Sequence, residues 1–303
     1  MRRVNRRRFL KFGITGAGAL VAGGAVVEQL VQHGVLPGQH ALQVLEGDCS
    51  VTHPELHFAE LGPSYSGQFF SHARRREVGY TIAYPPGHRP GDRLPLVVML
   101  HGYGGDHNGG IGGLTPAQAL ALDTEPRLQP MAMVTVDGGG GYWNPHPLDD
   151  PLGMVVHELI PLCRRHGLGA PPHSIGVMGI SMGGYGALLF AEKYPRLFRA
   201  VAAISPAIWT SYPQARGVNR GAYASAADFA SDDVVTHARA LARIPVRVAS
   251  GEEDPFHPGV AALAAALPAG AVVEFSKGCH TNPFFLAQTQ PSVAFLSHHL
   301  TSS

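Results

Sequence analysis

The stretch Ile175-Gly176-Val177-Met178-Gly179-Ile180-Ser181-Met182-Gly183-Gly184-Tyr185-Gly186-Ala187-Leu188-Leu189-Phe190-Ala191 reads as an apolar strand, a glycine-bracketed turn and a helix, with a serine at the apex. So sharp a strand-to-helix turn strains the backbone of its central residue and leaves room only for small neighbours, which the pattern G-x-S-x-G supplies. The serine hydroxyl is then held out for attack. The amide of Met182, at the start of the helix, is placed to donate to an oxyanion.

A serine nucleophile needs a base, an orienting acid and a second oxyanion donor. Upstream, the apolar run 94–100 leads into His101-Gly102-Tyr103-Gly104-Gly105-Asp106, a glycine-rich turn that lacks the Gly-Lys-Ser/Thr ending of a phosphate loop. The second oxyanion amide is assigned to Tyr103, with Gly104 as the alternative. Downstream, the run 244–250 ends in Gly251-Glu252-Glu253-Asp254-Pro255. Asp254, fixed by the following proline, is the expected acid, and Glu253 and Glu252 are the alternatives. His280 follows the last expected strand and completes the chain order Ser181, Asp254, His280.

Apolar runs near 78–84, 94–100, 131–136, 174–180, 198–204, 245–250 and 271–276 are read as strands. Helices are expected at 116–123, 151–167, 184–194, 233–242, 258–267 and 290–300. This alternation predicts an α/β fold with a mostly parallel central sheet flanked by helices, whose active loops gather at the carboxyl ends of the strands.

Ser-Met-Gly-Gly at 181–184, Asp-Pro-Phe at 254–256 and Gly-Cys-His-Thr at 278–281 resemble the esterase group of α/β-hydrolases that includes S-formylglutathione hydrolases, feruloyl esterases and mycolyltransferases. The likeness runs from Val78 to the C-terminus, and the nearer look-alikes are secreted actinobacterial esterases. The resemblance implies an α/β-hydrolase fold with a short cap insertion, and triad roles for Ser181, Asp254 and His280. The activity it implies is hydrolysis of a small-molecule or glycolipid ester. Acyl transfer to a sugar or glycolipid hydroxyl is the near alternative, and a non-catalytic cell-envelope binding protein on the same scaffold is the distant one.

The substrate pocket is expected to take His101, Gly102 and Gly104 from the first turn, Tyr142 and Trp143 from the glycine-rich loop 137–147, Trp209 from an insertion over about 207–230, and Phe284 after the histidine. Packing of aromatic residues between the insertion and the sheet is the competing reading for each. No cofactor is expected. Nor is a metal: His53-Pro54-Glu55-Leu56-His57 has the wrong spacing and a proline for a zincin helix, and His146 has no second ligand at helical spacing.

The N-terminus reads as an address. Asn5-Arg6-Arg7-Arg8-Phe9-Leu10-Lys11 followed by the weakly apolar stretch 12–27 resembles a twin-arginine export signal, so residues 1–25 are expected to engage that export machinery. Cleavage is expected after Ala25, with an uncleaved membrane anchor as the alternative. No lipobox precedes Cys49. The expected location is therefore secreted or cell-envelope, with association to the envelope or membrane surface. Six of the 23 basic residues lie in 1–25, which leaves 17 against 22 acidic side chains, a formal −5, and no nucleic-acid partner is expected. Arg74-Arg75-Arg76 is read as a solvated strand end. The remainder divides into an N-terminal wrap with first strands, 26–77, and one catalytic domain, 78–303. Of three cysteines, Cys163 is read as a buried apolar residue and Cys49–Cys279 as the pairing expected if a bridge forms.

Overall fold

Eight strands form one sheet in the order β1-β2-β4-β3-β5-β6-β7-β8. The computed structural model describes residues 49, 51, 55–111, 113–124, 126–172 and 174–301. The expected export segment 1–25, the wrap as far as residue 48, and His53 and Pro54 of the histidine-rich stretch lie outside the described residues.

β1 (Ser64–Ser71) and β2 (Arg76–Ala83) make an antiparallel hairpin, and β2 also pairs antiparallel with β4 (Ala132–Val136). From β4 onward every pairing is parallel, through β3 (Leu96–Leu100), β5 (Ile175–Ile180), β6 (Ala200–Ile204), β7 (Val246–Gly251) and β8 (Val272–Ser276). β3, β4, β5 and β6 are buried at every position. That is why they read as unbroken apolar runs: helices cover both faces of a parallel sheet.

α1 (Pro116–Leu120) and α7 (Asn282–Thr301) pack on one face. The other face carries α2 (helical residues 151–165), α3 (Met182–Lys193) and α6 (His257–Ala266). α2 opens at Asp150, whose side chain accepts from the Gly153 amide, and contains a π-turn at Val155–Leu159 just ahead of Pro161. Proline has no N–H for the regular ladder and crowds the carbonyl one turn back, and widening the turn relieves both. Two short helices, α4 (Tyr212–Val218) and α5 (Ala226–Ser231), lie in the expected insertion, each capped by a serine, Ser211 and Ser225.

Two helix expectations are corrected. The helix expected over 233–242 shrinks to a 3-10 turn at Ala238–Leu241, whereas the first strands expected within 26–77 include β1. α7 starts eight residues before the expected 290, with Pro291 inside it. The Cys49–Cys279 disulfide is present, joining chain positions 230 residues apart and pinning the N-terminal segment beside His280; Cys163 is free and buried.

Near the end of α3, Glu192 is buried and its Oε1 has no hydrogen-bond partner. Burial, reinforced by Asp233, pushes its carboxyl up to about 9. The fold thus keeps a proton that the unfolded chain releases near 4.5, so this stabilisation is full at acid pH and drains away as pH rises through that window. Glu192→Gln is expected to add about 2 kcal/mol of stability near pH 8 and almost nothing near pH 4, measured by urea unfolding at both. An equal gain at both pH values would mean that the carboxyl does not titrate in this range.

Candidate active site

Ser181 occupies the turn between β5 and α3 with φ 53° and ψ −121°, a left-handed backbone that costs a non-glycine residue about 1–3 kcal/mol. Its neighbours explain why the turn holds. A Cβ on Gly179 would lie 2.2 Å from the Gly183 carbonyl oxygen, and one on Gly183 would lie 2.1 Å from that of Leu100. Backbone therefore meets backbone on both sides of the serine. The close approach of Gly183 also seats the N-terminus of α3 against the end of β3.

The His280 ring bridges two partners. Its Nε2 is 2.8 Å from Ser181 Oγ and its Nδ1 is 2.8 Å from Asp254 Oδ2. With the carboxylate as acceptor, Nδ1 carries the hydrogen, which leaves Nε2 free to accept from the serine hydroxyl. Asp254 is buried just beyond β7, and its Oδ1 accepts from the Phe256 amide at 2.8 Å. Glu252 and Glu253 are exposed. Phe256 and Phe285 contact the imidazole edge to face at 5.1 and 5.0 Å, so packing as well as hydrogen bonding fixes the ring.

The turn after β3 runs alongside the serine: a Cβ on Gly102 would sit 3.5 Å from that of Ser181. The Met182 amide opens α3, where no intrahelical acceptor exists. Among the described residues the Tyr103 and Gly104 amides likewise donate to no protein acceptor, while the Gly105 amide is used by the Gly102 carbonyl. The Tyr103 ring is exposed over Gly140.

His101 braces this turn instead of lining a pocket. Its buried Nδ1–H donates to the Gly102 carbonyl at 2.7 Å and its Nε2 accepts from the Gly138 amide at 2.9 Å. Burial lowers its pKa and keeps the ring neutral, as both bonds require. The loop it grips is anchored in turn by Arg74, which is buried, pairs with Asp149 through Nε at 2.6 Å and Nη2 at 3.0 Å, and donates through Nη1 to the Asp137 carbonyl. The triple-arginine stretch is thus only partly solvated, a correction to its sequence reading. Burial alone would raise the Asp137 carboxyl; bonds from the His107 side chain and amide and the Gly79 amide outweigh it, so its pKa is lowered.

The aromatic pocket residues are corrected as well. Trp143 is wholly buried and donates through Nε1 to the His101 carbonyl at 3.2 Å. Both Tyr142 and Trp143 have φ 59°, which turns their side chains into the core. Tyr142 packs against Tyr185, Trp209 and Tyr223 at centroid distances of 5.6 to 6.2 Å, and Trp209 is buried with it. Phe284 is buried under Gly278. These side chains join the insertion to the sheet, and Asn219 Nδ2 bonded to the Gly140 carbonyl at 3.1 Å ties it to the glycine loop. Only Gly102 and Gly104 of the expected pocket set remain partly or fully open beside the serine. The supporting pair Arg74–Asp149 was missed because nothing local marks an arginine as buried. His146 donates through Nε2 to the Gly141 carbonyl at 2.9 Å.

A family model described as "Putative esterase" matches residues 71–272. No curated protein matches the sequence. Among solved structures, a ferulic acid esterase is similar with a TM-score of 0.64 at 16% identity, over 80% of this chain and 100% of that one. An S-formylglutathione hydrolase from Agrobacterium tumefaciens gives 0.62 at 19% identity, over 82% and 100%. FphF, a fluorophosphonate-binding serine hydrolase of Staphylococcus aureus, gives 0.60 at 12%, over 78% and 99%. Those identities establish the α/β-hydrolase fold alone, but the family match spans two thirds of the sequence, from the hairpin to the first residue of β8, and on it the chain belongs to the putative esterase family.

Proposed function

We propose that the protein is a serine esterase working through an acyl-enzyme on Ser181. The observation that supports this most is the unbroken chain Ser181 Oγ, His280, Asp254, with both links at 2.8 Å. In this mechanism Oγ attacks the ester carbonyl carbon as His280 Nε2 takes its proton. The amides of Met182 and Tyr103 hold the oxyanion, each worth about 3–4 kcal/mol at the barrier. His280 passes the proton to the departing alkoxide. Water then adds to the acyl carbon, giving its proton to His280, and Ser181 leaves with that proton restored.

Small acyl groups are the proposed substrates, because the aromatic side chains that would wall a long acyl slot are packed in the core. The test is hydrolysis of p-nitrophenyl esters from acetate to palmitate, with kcat/KM expected to fall steeply beyond short chains. A palmitate optimum would contradict the small-acyl assignment. Absence of turnover on every ester, together with no labelling by a fluorophosphonate, would favour the non-catalytic scaffold instead.

Export is proposed too, and the Cys49–Cys279 disulfide supports it, since such bridges persist in oxidising compartments. Arg6→Lys with Arg7→Lys is expected to trap the chain in the cytoplasm of a host with a twin-arginine system, read by fractionation. Normal export of that variant would argue against this route.

A further inference from the structure

The loops that precede the parallel strands, and the helix ends beside them, carry nine arginines: Arg89, Arg93, Arg127, Arg164, Arg165, Arg196, Arg199, Arg239 and Arg243. All nine are exposed, and among the described residues none pairs with a carboxylate. By sequence the same segments hold three acids, Asp92, Asp123 and Glu125, with Asp92 3.1 Å from the His88 ring, and the segment that bridges Leu122 adds exposed Glu55 and Glu60. Nine of the 17 basic side chains beyond residue 25 thus gather at one end, against these five acids, in a chain whose formal charge beyond that residue is −5. A protein polarised in this way presents a focused positive field in one direction only.

The shape of this end narrows the partner. Six parallel strands at about 4.8 Å spacing make it about 24 Å wide, and the arginines spread over five of its loops instead of tracking one groove. Three hollows open along it. One of about 460 Å³ includes Arg127, one of about 610 Å³ includes Arg93 and Arg199, and one of about 320 Å³ includes Arg243. Guanidinium groups bind phosphate oxygens in forked pairs. A broad face of separate arginine-rimmed hollows fits a layer of phosphate headgroups better than a single polyanion strand. No helix among the described residues is long and apolar enough to cross a membrane.

We propose that this arginine-rich end docks the protein on an anionic phospholipid surface. Docking there leaves Ser181, at the opposite ends of the same strands and about 20 Å away along β5, directed away from the bilayer. The inference is independent of the ester chemistry.

Vesicle co-sedimentation of the full chain tests it. Phosphatidylcholine vesicles containing about 30% phosphatidylglycerol are expected to bind at least about tenfold more protein than pure phosphatidylcholine, with the ratio collapsing near 0.5 M salt. The ratio is the readout because any lipid affinity of the apolar N-terminal stretch is common to both vesicles. Arg93→Glu, Arg127→Glu, Arg199→Glu and Arg243→Glu together should bring it near one. Arg127→Glu with Arg243→Glu should lower it partway and serves if the fourfold variant does not fold, judged by its melting temperature. Arg216→Glu with Arg220→Glu, exposed in the insertion, should leave it unchanged. A ratio near one for the native chain, or an equal fall in the Arg216/Arg220 variant, would overturn the proposal. Retention by duplex DNA without any retention by anionic vesicles would overturn it in favour of a nucleic-acid partner.

Discussion

Ser181→Ala is expected to lower kcat for ester hydrolysis by about 10⁶-fold, leaving only what the oxyanion amides and substrate binding provide. Nothing in the packing opposes the substitution, since the hydroxyl's partner is His280 Nε2 and the ring stays held by Asp254, Phe256 and Phe285. The strained backbone is retained with alanine, so the variant should melt within a few degrees of the parent. Loss of activity with an unchanged melting curve separates chemistry from folding. Retention of more than about a tenth of the activity would remove Ser181 from the nucleophile's role.

Asp254→Asn should cost about 10⁴-fold in kcat for a different reason. The amide is nearly the same size, and its oxygen can keep the bond from the Phe256 amide. What it lacks is a pure acceptor toward His280 Nδ1. An NH₂ facing that nitrogen favours the tautomer with hydrogen on Nε2, which then points a donor at the serine hydroxyl. KM should change little, because Asp254 is buried behind the histidine. A loss below tenfold would mean that the ring is oriented by another group, with exposed Glu252 and Glu253 the nearest acids in sequence.

What could be read from the chain, and what could not, follows from how far each signal reaches. The parallel strands announce themselves because burial on both faces demands uninterrupted apolar residues, as in Leu96-Val97-Val98-Met99-Leu100. The elbow is equally local: Gly179 and Gly183 are required by contacts within a few residues of Ser181. β1 was expected only as one of the first strands within 26–77, without bounds, for it lies at the sheet's margin with most of its residues exposed. The start of α7 was misplaced because Pro291 resembles a first-turn proline, whereas its missing N–H is absorbed inside a long helix.

The pocket expectations failed at a backbone torsion. Tyr142 and Trp143 sit after a glycine run that looks built for ligand approach, yet the glycines serve the indole: a Cβ on Gly138 would meet the Trp143 ring at 2.1 Å, and one on Gly186 at 2.7 Å. A positive φ at two consecutive aromatic residues cannot be inferred from residue type. Arg74 illustrates the same limit, since its burial depends on Asp149 and on the Asp137 carbonyl, more than sixty residues away along the chain.

The central claim is that Ser181 becomes acylated, and trapping the acyl-enzyme tests it most directly. The protein would be mixed with p-nitrophenyl acetate, quenched in acid within the pre-steady-state burst, digested and examined by tandem mass spectrometry. The account predicts an acetyl group on the Ser181 side chain of the native protein, stoichiometric with the burst, and neither burst nor acetylated peptide with Ser181→Ala. A burst that persists in that variant, or an acetyl group carried by another residue in the native protein, would contradict it.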